Sequence, residues 1–156
     1  LNQRWPVWFQ PRLVDFDEGP FGPFPGHQTL TSAGDVHLVP TPGHSPGHLS
    51  VILVETDQSF FFAGDATYTE ELLISGMVDG IGPDPRAQRQ THRRILAYAQ
   101  QDPTIYLPSH DPGSKTRLED RATICARRES MLLKLETEEF DREPGANRVE
   151  VVRQYD

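Results

Sequence analysis

Thr41-Pro42-Gly43-His44-Ser45-Pro46-Gly47-His48 runs straight into Leu49-Ser50-Val51-Ile52-Leu53-Val54. The second block is an apolar, β-branched run, which predicts a buried strand. The first block is a turn: its prolines lack a donor and fix φ, while its glycines invite a change of direction. Those glycines also let the backbone approach a ligand closely. A stiff turn bearing two histidines therefore leads into a buried strand. The His-x-x-x-His spacing is that of a metalloprotease helix, but Pro46 and Gly47 exclude a helix carrying both imidazoles on one face.

Working outward, Ser59 to Ala63 is a second apolar run, and the turn signal Thr56-Asp57-Gln58 predicts an antiparallel hairpin. Val36 to Val39 reads as a short strand on the other side of the turn. Asp84-Pro85 opens a helix, with the acid as N-cap and Pro at the first position. Ala87, Thr91, Ile95 and Ala99 form its apolar face and Arg86, Arg89, Arg93 and Gln100 its wet one, out to Gln101. Thr104 to Leu107 is another strand, followed by the turn Pro108-Ser109-His110-Asp111-Pro112-Gly113. Thr116 with Glu119 matches a capping box, predicting a helix whose face is Leu118, Ala122, Cys125, Leu132 and Leu133, out to Leu135. Glu136 to Glu143 would be its frayed end, and Val149 to Tyr155 a last strand. The first 46 residues hold eight of the fourteen prolines, so residues 1–34 read as a Pro/Gly-rich loop leading into a domain over 35–156. The order of elements predicts an α/β layered domain.

Composition narrows the chemistry. The 156 residues carry a net charge of −8, which argues against nucleic acid as a partner. No apolar run approaches the roughly 20 residues of a membrane span. A single cysteine, Cys125, leaves no intrachain disulfide and no Cys-rich metal cage, so metal chemistry would have to use His and carboxylate. Of the six histidines, His44, His48 and His110 lie in turns at strand ends, where α/β proteins place functional loops. Asp65 ends the run Phe61-Phe62-Ala63-Gly64, and a carboxylate at the mouth of a buried strand needs a partner or a metal. His44, Asp65 and His110 are candidate ligands for zinc, iron or manganese, though each residue taken singly also suits an ordinary turn.

Three motifs, Thr41 to His48, Phe62-Ala63-Gly64-Asp65 and Leu107-Pro108-Ser109-His110, resemble in order the last three ligand motifs of the metallo-β-lactamase superfamily. The resemblance implies the second half of an αβ/βα sandwich, a mixed sheet with helices on one face and a metal pair at one edge. It implies His44 as ligand of one metal, Asp65 as bridge and His110 as ligand of the other, with His48 supporting the site. The β-lactamases themselves usually have Asp-Asn in place of Gly47-His48 and often Cys in place of Asp65. Glyoxalase-II-like thioesterases share the Gly-His-x-x-Gly-His form but continue Gly-Asp-Thr-Leu-Phe. Gly64-Asp65-Ala66-Thr67-Tyr68 is instead similar to the Asp-Ala-Ser-Tyr of N-acyl-homoserine lactone lactonases, whose tyrosine contacts the lactone carbonyl. That similarity implies a substrate-contacting role for Tyr68.

The expectation is therefore a cytoplasmic hydrolase of lactones or similar esters, using two divalent ions, zinc first with iron or manganese as alternatives. A glyoxalase-II-like thioesterase is the alternative enzyme. The superfamily's His-x-His-x-Asp-His motif is missing from the sequence, and the chain begins at Leu1. A second alternative is thus a catalytically incomplete fragment, the C-terminal half of a longer enzyme. Phe21, Phe24 and Trp8 are candidate walls for an acyl chain or ordinary packing residues.

Overall fold

The structure is a computed structural model, and it describes residues 6, 8–10 and 12–124. Five strands, β1 (Gln28–Thr29), β2 (Val36–Pro40), β3 (Leu49–Val54), β4 (Ser59–Gly64) and β5 (Thr104–Pro108), form one sheet in sequence order. β1 to β4 pair antiparallel and β5 joins β4 in parallel. Two reversals bring β2 back to the direction of β4 and β5. The carboxyl ends of β2, β4 and β5 therefore open on the same edge, and the turns bearing His44, Asp65 and His110 follow those three ends.

Pleating sorts the side chains. Ile52, Phe61 and Tyr106 face one way and are fully buried. Onto them pack Leu73 of α1 (Glu70–Ser75), Ile95, Tyr98 and Ala99 of α2 (Pro85–Gln101), and Phe24 from the leading segment. Each such large apolar side chain contributes about 1.5–3 kcal/mol by leaving water. Leu53, Phe60, Ile105 and Leu107 gather on the opposite face. There Phe62 stays 42% exposed. The sheet is thus mixed, with α1 and α2 on one face, as the family resemblance implies.

Asp84 caps α2 by accepting from the N–H groups of Arg86 and Ala87, at 3.0 and 2.9 Å. Three local expectations change. The leading segment is not all loop: Gln28–Thr29 pairs with β2, Phe21 and Phe24 bridge each other, and Phe24 is 1% exposed in the core. Trp8, in contrast, stands 81% exposed. A short helix, α1, follows Tyr68, its N-cap Thr69 accepting from Leu72 N–H and its C-cap Gly76 left-handed. The helix α3 runs Ser114–Asp120, starting before Thr116, and left-handed Arg121 interrupts the predicted continuous helix. Its end is sealed by left-handed Arg121, by Ala122 N–H donating to Arg117 O, and by the Arg121 side chain pairing with Glu55 over the ring of Phe60. Its buried face carries Arg117, while Leu118 is 45% exposed. The expectations for Cys125, Leu132 to Leu135, Glu136 to Glu143 and Val149 to Tyr155 lie outside the described residues.

Candidate functional site

The turns that follow β2, β4 and β5 converge. Asp65 Oδ2 lies 3.5 Å from His44 Nε2, and Asp65 Oδ1 lies 3.3 Å from His110 Nε2. Both separations exceed the ~2.7–2.9 Å of a charge-assisted hydrogen bond. They match the spacing of two ligands on one tetrahedral ion, because donors at about 2.0–2.2 Å from such an ion stand about 3.3–3.6 Å apart. Each carboxylate oxygen faces a different imidazole, and the chemistry of this donor set suits divalent ions. No group of three or more His, Cys, Asp or Glu side chains among the described residues could by itself hold an ion. Each ion would need ligands beyond these three residues.

The backbone carrying Asp65 is clamped from both sides. His48 Nε2 accepts the Asp65 N–H at 3.1 Å. A neutral His48 must then carry its proton on Nδ1, which lies 2.8 Å from Thr41 Oγ1. Thr41 passes its own hydroxyl proton towards Ser50 Oγ at 2.9 Å, and Ser50 donates to Ala63 O at 3.1 Å. His48 therefore has both nitrogens engaged and supports the turn. On the other side, the Ala66 carbonyl accepts from His92 Nε2 at 3.1 Å and from Gln88 Nε2 at 3.5 Å. Gly64, at φ 58°, makes the turn where a Cβ would stand 3.0 Å from His48 Nε2.

These supports predict acid sensitivity. Burial holds His37, His48 and His92 below the ordinary imidazole pKa of about 6.5. His92 Nδ1 has no partner among the described residues. The folded state resists protonation that the unfolded chain accepts, so stability is full above pH ~6.5 and falls below it. Each histidine contributes a slope of up to about 1.4 kcal/mol per pH unit. Urea midpoints of the metal-free chain should drop between about pH 7.5 and about pH 5.5. Equal midpoints would exclude this linkage.

Tyr68 lies between the two imidazoles, its ring centre 6.0 Å from that of His44 and 4.8 Å from that of His110. Burial, then the Asp79 and Asp65 carboxylates, push its phenol pKa up, so it is an O–H donor at neutral pH. The site is more open towards His110, 59% exposed at the side chain, than towards His44 at 24%.

Two participants escape the sequence reading. Asp79, in the connection between α1 and α2, places Oδ2 3.2 Å from His44 Nδ1 with its side chain fully enclosed. Burial pushes its carboxyl pKa up, but N–H groups of Ile81 and Gly82, with Gln88 and His44, outweigh that and hold it at about 2. Nothing in Val78-Asp79-Gly80 beyond a turn signal marks it, and His44 is 35 positions away. Arg117, 2% exposed, reaches Glu70 Oε2 at 2.8 Å and Asp111 Oδ2 at 2.7 Å, and also donates to Tyr106 O. Asp111 accepts the Glu70 N–H at 2.9 Å and the Gly113 N–H at 2.8 Å. This network joins the turn after His110 to the helix that follows Tyr68. Phe21 stacks on Tyr98 and His37 and Phe24 packs in the core, so neither lines the site.

The profile of the metallo-beta-lactamase superfamily matches residues 2–110. No curated protein matches the chain. Among solved structures, an N-acyl homoserine lactone hydrolase with N-hexanoyl-L-homoserine bound at its catalytic metal centre is 29% identical, with TM-score 0.51. A B. thuringiensis AiiA mutant with N-decanoyl-L-homoserine at its active site gives the same identity and TM-score. In both cases the match covers 60% of this chain and 36% of the other, so this chain spans little more than a third of their length.

Proposed function

This chain belongs to the metallo-beta-lactamase superfamily, and from that premise we propose that it supplies the second half of a hydrolase site that opens acyl lactones. The observation that carries the lactone reading is Tyr68, three positions beyond Asp65 and set between His44 and His110. His44, Asp65 and His110 would hold two divalent ions, zinc first, with iron or manganese as alternatives. When bound, such ions supply a nucleophile derived from water at neutral pH and polarise a carbonyl. Asp65 keeps the two histidine-bearing turns in register. The Tyr68 O–H donates to the carbonyl oxygen of the substrate, a contact that strengthens as negative charge grows there. That these three donors cannot complete a cage among the described residues supports the reading that further ligands complete the site.

The test is a substrate panel on the longest natural polypeptide containing this chain, comparing N-hexanoyl- and N-decanoyl-homoserine lactones with S-acyl glutathiones. Lactone opening is expected, and Tyr68→Phe should lower kcat about 10²–10³-fold, the cost of one lost oxyanion donor. Hydrolysis of S-acyl glutathiones with lactones untouched would replace this reading by a thioesterase. A wild-type rate in Tyr68→Phe would remove the role given to the phenol.

A further inference from the structure

We propose that Asp79 is a positioning residue for His44, a role that rests on the metal-site reading above. Its carboxylate accepts a hydrogen bond from the Nδ1–H of His44 and so fixes the tautomer whose Nε2 lone pair faces Asp65. The geometry is specific. Asp79 Oδ2 lies 3.2 Å from His44 Nδ1, and Nε2 of the same ring lies 3.5 Å from Asp65 Oδ2. The other carboxylate oxygen, Oδ1, accepts the N–H of Ile81 at 3.0 Å and of Gly82 at 3.2 Å. The two oxygens thus divide their work: one holds the loop, the other faces the imidazole. A histidine that ligates through one nitrogen is commonly oriented by a carboxylate on the other, which fixes ring and tautomer together.

The loop is also built for close approach. A Cβ on Gly82 would stand 2.5 Å from Gly43 O, next to His44, and a Cβ on Gly43 would stand 2.5 Å from Gln88 Cα. Gly82 lets the connection between α1 and α2 press against the His44 turn, and Gly43 lets that turn lie on α2 at Gln88, which together bring Asp79 within reach of Nδ1. A carboxylate enclosed only to cap its own loop would need the Ile81 and Gly82 bonds and no imidazole.

The metal-free chain with ¹⁵N-labelled histidine provides the test. At about pH 8, where an ordinary histidine is neutral, long-range ¹H–¹⁵N spectra report each ring's tautomer. Wild-type His44 is expected as the Nδ1–H form. Asp79→Asn keeps an oxygen for the Ile81 and Gly82 N–H groups but removes the anion, and should shift His44 towards the Nε2–H form. Zinc alone, titrated into the longest natural polypeptide containing this chain in competition with a chromophoric chelator, should bind about 10–100-fold more weakly when that polypeptide carries Asp79→Asn. Asp79→Glu, which restores the charge, should recover part of that affinity. An unchanged His44 tautomer in a folded Asp79→Asn chain would overturn the assignment, as would zinc affinity within twofold of wild type. The tautomer is read without metal or substrate. A failed lactone assay would therefore leave it standing, and its own failure would leave the hydrolase reading intact.

Discussion

Asp65→Ala is expected to lower divalent-metal affinity by more than about 100-fold and to abolish hydrolysis, with the fold retained. Loss of an outer partner of a ligand already costs about 10–100-fold, and among the described residues Asp65 is the one carboxylate that faces both His44 and His110. Its removal leaves two imidazoles with no anion between them to offset the charge of two cations. The fold should survive because the backbone of this turn does not depend on the carboxylate. The Asp65 N–H is taken by His48, and the Ala66 carbonyl by His92 and Gln88. Elemental analysis and zinc competition on the purified variant, with circular dichroism as control, measure the two halves of the prediction. Full metal content with undiminished turnover would remove Asp65 from the centre. Asp65→Asn separates charge from shape: it should keep the turn and still bind metal poorly.

Arg117→Met should destabilise the protein by about 3–5 kcal/mol, the range found when one member of a buried ion network is deleted. The side chain is 2% exposed and lies against two carboxylates, Glu70 and Asp111, that are themselves shielded from water. Without the guanidinium these two charges stay buried near each other with no cation between them. Asp111 also pins the N–H groups of Glu70 and Gly113, so its displacement would loosen the turn that presents His110. Arg117→Lys should recover little, because an ammonium cannot reproduce the planar fork that meets Glu70, Asp111 and the Tyr106 carbonyl at once. Chemical denaturation gives the stability change, and a loss below about 1 kcal/mol would mean that the network relaxes without cost. Any fall in metal affinity in Arg117→Met should appear with the loss of stability. In Asp65→Ala it should appear without one.

What could be read from the order of residues was whatever nearest neighbours encode. β-branched runs mark β3 and β4, the Asp84-Pro85 opening and a four-residue repeat mark α2, and Pro/Gly-rich turns place His44 and His110 at strand ends. The ordered motifs then tied those turns to one family. α1 leaves no period in the sequence although Thr69, Glu70, Glu71 and Gly76 are ordinary cap signals, because six residues are too few to show one. Thr116 does not cap α3: the helix starts at Ser114 with Gly113 as N-cap, and a buried cation, Arg117, sets its packed face in place of an apolar stripe.

Spacing within a few positions marks β2 to β5, α2 and the residue types able to bind metal, but not β1, α1 or the bounds of α3. Which side chains meet depends on contacts that exist only in the folded chain. Two reversals of the chain turn β2, β4 and β5 the same way and bring His44, Asp65 and His110 to one edge. The close contact of two glycine-bearing loops brings Asp79 to His44, and the meeting of α1, β5 and α3 gathers Glu70, Asp111 and Arg117. Most of those encounters join residues far apart in the sequence, 35 positions for His44 and Asp79 and 41 for Glu70 and Asp111, and their energies come from burial and charge pairing that exist only once the sheet has formed.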